Sequence, residues 1–493
     1  MSSFTIGIDI GTTGTKSVLL EVGKGVIGIA QRENALLTPQ TGWAEADPQQ
    51  WLTNSVETVA ELMAQSGVNP SDIAGVATTG MVPALTLVDS ANQPLRASAL
   101  QNDARATQEI SELEEALSAV NLVEETGSAL SQQSIAPSIM WFQRNEPEVW
   151  NQTRSIMGSY DWVLTAMGAR PHVEQNWALE SGLFTLDGVH HPSVVKASNL
   201  ETQLVPEVLQ PGSRAGEMAA DVAEKMGLNS GTPLFVGGAD HVLSAYSAGV
   251  SQPGDWLIKL GGAGDILVST QEPIVDGRLY LDAHPIPGHW LPNGCMATSG
   301  SLIRWFQGIV GEDDLANFDE RASIRSPASV LCLPYFLGEK SPLHDPDLRG
   351  AFFGMHLGTT KEDLYRSVLE AIAFGFRHHA EIFEERGIKL SRAMVTNGGS
   401  KSTLWKQIHA DVLGVELNPV VNHPGASLGA AVIAGIGAGV IAGWGSIGEY
   451  VELGPTVKPR EEMVKIYDLA YKEWRNLGEA TTPLSHRLAE RTR

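Results

Sequence analysis

Apolar residues alternate with small or polar residues in several short segments of the chain, which is the pattern of half-buried β-strands. The first segment covers residues 4–10 and leads into Gly11, Thr12, Thr13 and Gly14, after which apolar residues resume at 17–20. This pattern predicts a strand, a tight polar turn and a returning strand. Further strand-like segments lie at residues 73–78, 84–89, 234–236, 256–260, 266–269 and 393–396.

Amphipathic helices are predicted between these strands, where apolar residues stand three and four positions apart. They cover residues 48–64, 361–385 and 402–413. Strands that alternate with helices predict an α/β fold. Residues 256–268 repeat the strand, Gly-rich turn and strand of residues 4–20, which indicates an internal duplication. We therefore expect two related domains, 1–248 and 249–493, joined at a hinge near residues 245–255.

The length and composition of the chain suit two domains of this kind. Its 493 residues, 43% of them hydrophobic, supply apolar side chains for two cores. The net charge of −23 argues against nucleic acid or an anionic membrane as a partner, because both are bound through clusters of Lys and Arg. A homodimer is compatible with the sequence, which does not fix the oligomeric state.

Three features indicate a cytoplasmic protein. The N-terminus lacks the basic and apolar segments of a secretory signal. Only two cysteines occur, Cys295 and Cys332, and we expect buried free thiols, as in a reducing compartment. Residues 425–444 carry no charge over the length of a membrane helix, but glycines interrupt them. That composition predicts a close-packed soluble helix followed by a turn.

The first Gly-rich turn carries residues suited to phosphate and a divalent cation. Asp9 precedes the turn and Lys16 follows it, and the small residues between them let backbone N–H groups and threonine hydroxyls approach phosphate oxygens. An aspartate at this position can hold a hydrated Mg²⁺. The spacing is neither that of a Walker loop nor that of a dinucleotide-binding turn. Considered alone, the turn is equally well explained as an ordinary hairpin.

Two further Gly-rich turns follow predicted strands in the C-terminal half. They contain Gly261, Gly262, Ala263 and Gly264 in one case and Gly398, Gly399 and Ser400 in the other. The last turn opens a predicted helix, whose N-terminus favours anions. Each turn alone is a weak signal with a hairpin as the alternative. Three such turns, spread over both halves, together predict a nucleotide site.

The motifs together resemble the FGGY family of carbohydrate kinases over nearly the whole chain. They are residues 7–16 (GIDIGTTGTK), 42–51 (GWAEADPQQW), 102–103 (ND), 236–240 (VGGAD) and 397–400 (NGGS). The most specific is 350–355 (GAFFGM), followed after seven residues by 363–370 (DLYRSVLE), which is similar to the family's C-terminal signature. The resemblance implies an actin-like ATPase fold, in which two ribonuclease-H-like domains flank a nucleotide and sugar cleft.

The resemblance also implies a mechanism. Asp240 stands where the family keeps its catalytic base, which accepts the proton of a sugar hydroxyl and contributes about 10²- to 10⁴-fold to the rate. Asp9 would orient Mg²⁺ or its waters, while Thr12, Thr13 and Lys16 would hold the phosphates of ATP. Without the resemblance, the residues themselves favour a helix cap for Asp240.

The sugar site is expected in the N-terminal half. The residues implied by the resemblance are Met81, Val82, Pro83, Asn102, Asp103 and Asp240. Xylulose kinases commonly carry Gln-Met-His in the loop that corresponds to Met81, Val82 and Pro83. The Met-Val-Pro loop departs from that pattern and lacks a polar partner for a sugar hydroxyl. His241 is explained either as a sugar contact or as a packed side chain.

The expected activity is ATP-dependent phosphorylation of a ketopentose such as D-xylulose, at the C5 hydroxyl that is the family's usual target. Ribulose, tetruloses, branched ketoses and glycerol-like polyols stay open as substrates. A noncatalytic sensor of sugar or nucleotide on the same fold is an alternative, against which Asp9 and Asp240 argue. An actin-like or chaperone-like ATPase is another, against which the C-terminal signature argues.

Overall fold

A computed structural model describes residues 3–491 of the protein. Its strands are β1 (Phe4–Ile10), β2 (Gly14–Glu21), β3 (Gly25–Glu33), β4 (Glu45–Ala46), β5 (Ile73–Gly80), β6 (Thr86–Val88), β7 (Ser98–Ala99), β8 (Ser155–Met157), β9 (Val173–Glu174), β10 (Val208–Leu209), β11 (Arg214–Glu217), β12 (Pro233–Ala239), β13 (Trp256–Leu260), β14 (Gly264–Val268), β15 (Tyr280–Ala283), β16 (Trp290–Met296), β17 (Leu331–Leu333), β18 (Ala351–Phe353), β19 (Ala393–Thr396) and β20 (Leu417–Pro419).

The α-helices lie between and after these strands. They are α1 (Pro48–Ser66), α2 (Thr107–Ala116), α3 (Leu122–Thr126), α4 (Ile135–Asn145), α5 (Pro147–Gln152), α6 (Ser159–Ala166), α7 (Gln175–Glu180), α8 (Pro192–Ala197), α9 (Ala220–Met226), α10 (Asp240–Ser247), α11 (Gly300–Val310), α12 (Leu315–Ser323), α13 (Lys361–Glu385), α14 (Thr403–Leu413), α15 (Ala426–Gly437) and α16 (Glu461–Glu490).

The N-terminal half is built on a six-stranded mixed sheet of order β11-β12-β5-β1-β2-β3. Strands β1, β2 and β3 are antiparallel, as the first turn predicts, whereas β5 and β12 run parallel to β1. The apolar positions of β1, Ile6, Ile8 and Ile10, are fully buried. Because parallel strands end at the same edge of a sheet, the carboxyl ends of β1, β5 and β12 lie side by side.

The C-terminal half repeats this design. Its six-stranded sheet has the order β15-β16-β14-β13-β19-β20. Strands β13, β14 and β16 are antiparallel, and β19 and β20 run parallel to β13. The β13–β14 pair thus corresponds to β1–β2, and β19 and β20 correspond to β5 and β12. This correspondence confirms the internal duplication and the predicted α/β fold.

The helix α15 connects the two halves by packing. It comes late in the chain, yet it covers β1, β5 and β12 of the N-terminal sheet and contacts α10. The approach is close, since Thr5 Oγ1 donates to the Ala431 carbonyl at 2.8 Å. A Cβ built on Gly7 would lie 2.0 Å from the Ser427 carbonyl oxygen. The small residues of the uncharged segment 425–444 therefore allow close packing. The predicted domain boundary at residue 248 separates the two sheets, but α15 from the C-terminal half packs on the N-terminal sheet.

Other predictions about single segments have mixed outcomes. Residues 84–89 give only the short strand β6, which pairs with β8 outside both large sheets. Their apolar character reflects burial on both sides. Cys295 and Cys332 are free thiols, although Cys295 is only partly buried. Among residues 3–491, no helix combines the length and apolar character needed to span a membrane.

Candidate active site

The residues expected to be catalytic lie along one edge of the N-terminal sheet. Asp9 is close to the end of β1, the loop that begins at Met81 follows β5, and Asp240 follows β12 as the first residue of α10. The strand register pairs the last residue of β5 with the last residues of both β1 and β12. The sheet thereby brings Asp9, Met81 and Asp240 into one neighbourhood.

Asp9 is half-buried and offers a carboxylate oxygen that suits a cation. Its Oδ1 atom is buried without a hydrogen-bond partner among the described residues. Burial, and then the negative charge of Asp240, raises the pKa of Asp9 to about 7, although Lys16 and Lys259 act in the opposite direction. A carboxylate oxygen that lacks a donor is the type of ligand that Mg²⁺ takes, directly or through water. Asp9 therefore fits the predicted divalent cation.

Two lysines, one from each half, face these carboxylates. Lys16 is the partner of Asp9 across the β1–β2 hairpin. Lys259 is the partner of Asp265 across the β13–β14 hairpin and forms an ion pair with it at 3.3 Å. The duplicated hairpins thus carry an Asp and a Lys at matching positions in opposite order. Both lysines are near enough to Asp9 to act on its charge, so the ends of the two hairpins lie close together.

The N-terminus of α15 lies next to Lys16. A Cβ built on Gly425, the residue that precedes the helix, would lie 3.1 Å from Lys16 Nζ. A helix N-terminus carries partial positive charge, so two positive groups meet at this point. An anion between them satisfies both, and a phosphate group has the charge and the acceptor atoms to do so. The predicted phosphate-binding role of Lys16 therefore fits its surroundings.

The first Gly-rich turn is braced from within and presents the Thr13 hydroxyl outward. Gly11 N–H donates to the Gly14 carbonyl at 3.0 Å, and Asn34 Nδ2 donates to the Gly11 carbonyl at 2.7 Å. Thr13 is exposed at the tip, and Thr12 is partly exposed beside it. No sequence pattern singles out Asn34, whose side chain fixes the turn. The arrangement leaves the Thr13 hydroxyl exposed, whereas the Thr12 hydroxyl donates to Met81 Sδ at 3.8 Å.

The other two Gly-rich turns pack closely against neighbouring segments. Gly300 N–H donates to the Gly261 carbonyl at 2.8 Å. A Cβ built on Gly399 would lie 2.7 Å from the Cβ of Leu260, so only glycine allows this approach. Residues 398–401 form a single 3₁₀ turn that leads into α14. The predicted residues Gly261, Gly262, Ala263, Gly264, Gly398, Gly399 and Ser400 therefore lie at one edge of the C-terminal sheet.

Two residues beside these turns were not predicted. Ser299 precedes α11, and its buried hydroxyl has no partner within residues 3–491. Arg304 is exposed on the same helix, and its Nη2 atom would lie 3.4 Å from a Cβ built on Gly262. A free hydroxyl and a cation over a Gly-rich turn suit a nucleotide phosphate. The sequence does contain a fourth turn between a strand and a helix, at Ser299-Gly300. It was not predicted as a phosphate site because it lacks the several glycines that mark the other three turns.

Comparison with known proteins agrees with this geometry. The model of the FGGY family of carbohydrate kinases, N-terminal domain, matches residues 4–247, and that of the C-terminal domain matches residues 258–438. The chain belongs to the FGGY family of carbohydrate kinases. This confirms the predicted family, the two-domain actin-like ATPase fold and the activity of a sugar kinase.

Relatives of this FGGY kinase extend over nearly its whole length. The crystal structure of xylulose kinase from Rhodospirillum rubrum is 36% identical, with a TM-score of 0.92, and covers 98% of this chain and 100% of that one. The xylulose kinase of Lactococcus lactis subsp. lactis is 28% identical over 99% of both chains. The xylulose kinase of Escherichia coli is 26% identical over 87% of this chain and 89% of its own.

The sugar side of this FGGY kinase begins with an apolar loop. Met81, Val82 and Pro83 are all buried at the carboxyl end of β5. Ser159 Oγ donates to the Met81 carbonyl at 2.9 Å, which ties the loop to α6. The loop is therefore buried at the sheet edge that also carries Asp9 and Asp240, and its contact with the sugar stays a prediction.

Gln101 is a polar group on the sugar side that the sequence argument overlooked. Its Nε2 atom donates to Thr12 Oγ1 at 3.3 Å, which places it at the first Gly-rich turn. Its Oε1 atom is buried and has no partner among the described residues. The neighbouring Asn102 is exposed instead. A free buried acceptor of this kind suits a sugar hydroxyl, which the Met-Val-Pro loop does not bind through a side chain.

Asp103, which the resemblance implies as a sugar ligand, is engaged within the fold. Its two carboxylate oxygens accept from the backbone N–H of Ala44 and Arg105, at 2.7 Å and 3.0 Å, and from the Arg105 guanidinium. Arg105 in turn stacks on Trp43, 3.8 Å from its ring centroid. These bonds hold the chain between β4 and α2. We therefore leave Asp103 out of the proposed sugar site.

A cluster of titratable side chains lies beside Asp240 and was also not predicted as a group. It consists of His241, Glu180 at the end of α7, and Asp282 on β15. His241 Nε2 lies 2.8 Å from Asp282 Oδ2 and 4.0 Å from Glu180 Oε1. The sequence separates these residues by up to about a hundred positions. No local pattern connects them.

Proposed function

We propose that this kinase transfers the γ-phosphoryl group of ATP to a hydroxyl of a neutral ketopentose, with D-xylulose as first candidate and C5 as the acceptor carbon. The relatives described above support the substrate class, because all three are xylulose kinases. The carboxylates of Asp9 and Asp240 disfavour an anionic sugar at the same place. The proposed setting is the cytoplasm, where ATP is available.

The position of Asp240 is the observation that carries this proposal. Asp240 opens α10 at the sheet edge beside Asp9, with 36% of its side chain exposed. Lys259 approaches from the other half: burial opposes its charge, but Asp265 and Asp240 outweigh burial and raise the pKa of Lys259. Asp240 is a partly exposed carboxylate that faces lysines and Gly-rich turns suited to phosphate. Phosphoryl transfer to an alcohol needs this arrangement.

The residues divide the reaction between them. Asp240 accepts the proton of the attacking hydroxyl, which makes the sugar oxygen a better nucleophile. Lys16, Lys259 and the N–H groups of the three turns bind and orient the phosphates. Asp9 holds Mg²⁺, which supplies charge neutralisation of the phosphates when bound. Closure of the two halves over the cleft excludes water, so that the sugar and not water receives the phosphoryl group.

Replacement of the base tests this assignment. We expect Asp240→Asn to lower kcat by about 10²- to 10⁴-fold, because the amide cannot accept the hydroxyl proton. Asp221→Asn is the matched control, since Asp221 also lies in the first turn of a helix, α9, and is exposed away from the cleft. ADP release with D-xylulose measures both variants. Near-normal turnover of Asp240→Asn would remove Asp240 as the base.

A substrate panel tests the acceptor. We expect ADP release to be stimulated by a neutral ketopentose and not by gluconate. Ribulose, a tetrulose, glycerol and a branched ketose complete the panel. NMR of the product locates the phosphate on C5 or elsewhere. If no member of the panel stimulates ADP release above the rate of ATP hydrolysis alone, the proposed sugar class is wrong.

A further inference from the structure

His241 bridges two carboxylates, one of which is the proposed base. Its Nε2 atom lies 2.8 Å from Asp282 Oδ2, and its Nδ1 atom lies 3.6 Å from Asp240 Oδ1. A carboxylate accepts hydrogen bonds only, so the nitrogen that faces Asp282 carries a proton. An imidazole placed between two carboxylates is satisfied on both sides only when both nitrogens are protonated.

The surroundings of Asp282 favour this charged form. Asp282 is almost fully buried, and its Oδ2 atom also accepts from Asn293 Nδ2 at 2.7 Å. Its Oδ1 atom and the Oε1 atom of Glu180 have no hydrogen-bond partner among the described residues. Burial, and then Asp282, raises the pKa of Glu180 well above its usual value. Glu180 therefore keeps its proton and can share it with Asp282.

The same groups set the charge of His241. Burial disfavours a charged imidazole, but Asp282 and Asp240 outweigh burial and raise the pKa of His241 well above its usual value. Asp265 on β14 also faces it, since the charge of His241 helps to lower the pKa of Asp265 against the effect of burial. The imidazole is thus surrounded by acidic groups from α7, α10, β14 and β15.

The cluster also joins the two halves of the protein. Glu180 and His241 belong to the N-terminal half, whereas Asp282 lies on β15, the edge strand of the C-terminal sheet. Beside it, Asn176 on α7 bonds both backbone groups of Ala283, donating at 2.9 Å and accepting at 2.7 Å. The edge strand is therefore fixed against α7, and Asp282 reaches the base only through His241.

We propose that His241 is a positioning residue for Asp240: an imidazolium held by Asp282 of the opposite half, which orients the Asp240 carboxylate towards the sugar. The inference rests on the proposed role of Asp240 as base. It places the base under the control of a residue from the nucleotide-binding half. Loss of Asp282 then acts on catalysis although Asp282 does not reach the reacting atoms.

The charge of His241 has a consequence for the pH dependence of turnover. Without the imidazolium, the acidic groups Asp9, Asp282 and Asp265 remain near Asp240, and Lys16 and Lys259 are the lysines that face this group of carboxylates. The positive charge that faced these carboxylates is then reduced by one. As the pH is lowered, kcat/KM is therefore expected to fall at a higher pH than in the unchanged enzyme.

Three variants test the inference. His241→Gln keeps an N–H donor but removes the charge, Asp282→Asn keeps the shape but removes the anion, and His241→Lys keeps a cation. We expect His241→Gln and Asp282→Asn to lower kcat by about 10- to 100-fold, with a smaller change in KM for the sugar. We also expect their acidic limbs to move to higher pH. His241→Lys should return the limb towards its original position.

Gln175→Ala is the matched control. Gln175 lies on the same helix α7, and its Nε2 atom donates to the His284 carbonyl at 3.2 Å, so it joins the same two halves without touching the base. We expect no shift of its pH profile. An equal shift in Gln175→Ala would show that general contact between the halves is responsible, which would overturn the inference.

Other results would also contradict it. A normal kcat and pH profile in His241→Gln, an effect on KM alone, or identical profiles for His241→Gln and His241→Lys would each overturn the role of the cation. If Asp282→Asn fails to fold, as judged by circular dichroism, the two His241 variants still decide. Failure of the proposed function is distinguishable, because it gives an active Asp240→Asn, whereas failure of this inference leaves Asp240→Asn inactive and His241→Gln normal.

A metal at this cluster is the remaining outcome to measure. The ligand atoms of Glu180, His241 and Asp282 lie within 4.8 Å of one another, a spacing that also suits a divalent cation. Calorimetric titration of the chelator-treated enzyme with Zn²⁺ tests this. If Zn²⁺ binds stoichiometrically with micromolar affinity and Asp282→Asn abolishes this binding, His241 Nε2 is a metal ligand and not a hydrogen-bond donor. That result would overturn the proposal. The absence of such binding supports it.

Discussion

At the scale of single residues, the cleft is marked by buried acceptors that the fold itself does not satisfy. Asp9 Oδ1 and Gln101 Oε1 have no partner among the described residues. An unsatisfied buried polar atom destabilises a protein by about 1–3 kcal/mol. Both atoms lie where the proposed substrates bind. Their partners are therefore expected from a cation and from a hydroxyl-rich sugar.

Gln101 gives a direct test of this idea. We expect Gln101→Leu to raise KM for the ketose about tenfold, the value of one lost hydrogen bond, while the free energy of unfolding without ligand changes by less than about 1 kcal/mol. Steady-state kinetics and urea denaturation measure the two effects. Asn102→Leu is the neighbouring comparison and should leave KM unchanged, because Asn102 is exposed. The reverse ranking would contradict the assignment.

His409 gives a test of pH dependence. Burial lowers the pKa of His409 to about 4, and its Nε2 atom has no partner within the described chain. Because the folded pKa lies below the unfolded value of about 6.5, its stabilising effect is complete above pH 6.5 and is lost as the pH falls towards 4. Between pH 7 and pH 5 the unfolding free energy of the unchanged protein should lose about 2 kcal/mol through this residue.

The variant His409→Leu lacks this titration. We therefore expect its unfolding free energy to fall by about 2 kcal/mol less than that of the unchanged protein over the same pH interval. Denaturant unfolding at both pH values provides the measurement. Parallel loss of stability in the two proteins would show that His409 is not kept neutral in the folded state.

The residues of the candidate site differ in how far the sequence reveals them. Asp9 and Asp240 stand in motifs, and the structure brings them together. Glu180 and Asp282 have no motif, because the cluster forms only when α7 and β15 meet. Asp103 lies within the Asn-Asp motif, but a sequence does not show which side chains of a loop point inward. Residues in motifs, such as Asp9 and Asp240, can be predicted from the local sequence pattern. The positions of Glu180, Asp282 and the Asp103 side chain depend on tertiary contacts.

At the scale of elements, α15 shows the same limit. Its composition predicts a close-packed helix, and it is one. The partner that requires glycine and alanine is β1, more than four hundred residues earlier, which no periodicity indicates. The strands and helices of both sheets could be predicted because their patterns are local. The packing of α15 on the N-terminal sheet could not.

The contact between α15 and β1 predicts a sharp effect of one added methyl group. We expect Gly7→Ala to reduce the unfolding free energy by about 1–3 kcal/mol, because its Cβ would meet the Ser427 carbonyl. The shift of α15 should also raise KM for ATP, since the N-terminus of this helix lies beside Lys16. Gly308→Ala is the control: it lies in α11 with open space around it and should stabilise by up to about 1 kcal/mol.

At the scale of the whole molecule, the two halves share one plan but do not complete their cores separately. The main hydrophobic core of the N-terminal sheet includes Val432 and Ile433 of α15 and, further on, Ile441 and Ile447. The predicted division at residue 248 therefore leaves one half without its cover. This arrangement ties the halves together more firmly than a hinge alone.

Separation of the halves tests this dependence. Residues 1–248 alone should expose the face of β1 and β5 that α15 covers, bind an apolar dye and aggregate. Coexpression with residues 249–493 should restore a soluble, active complex. A stable, monomeric 1–248 fragment with cooperative unfolding would contradict the expectation.

The late position of α15 in the chain also delays folding of the N-terminal half during synthesis. Roughly 200 residues separate the end of α10 from the last segment of this core, and at about 5–20 residues per second a ribosome needs roughly 10 to 40 s to make them. During that interval the nascent N-terminal half carries an uncovered apolar sheet. The protein is therefore expected to be a client of ribosome-associated chaperones, although its own two sheets are each of ordinary size.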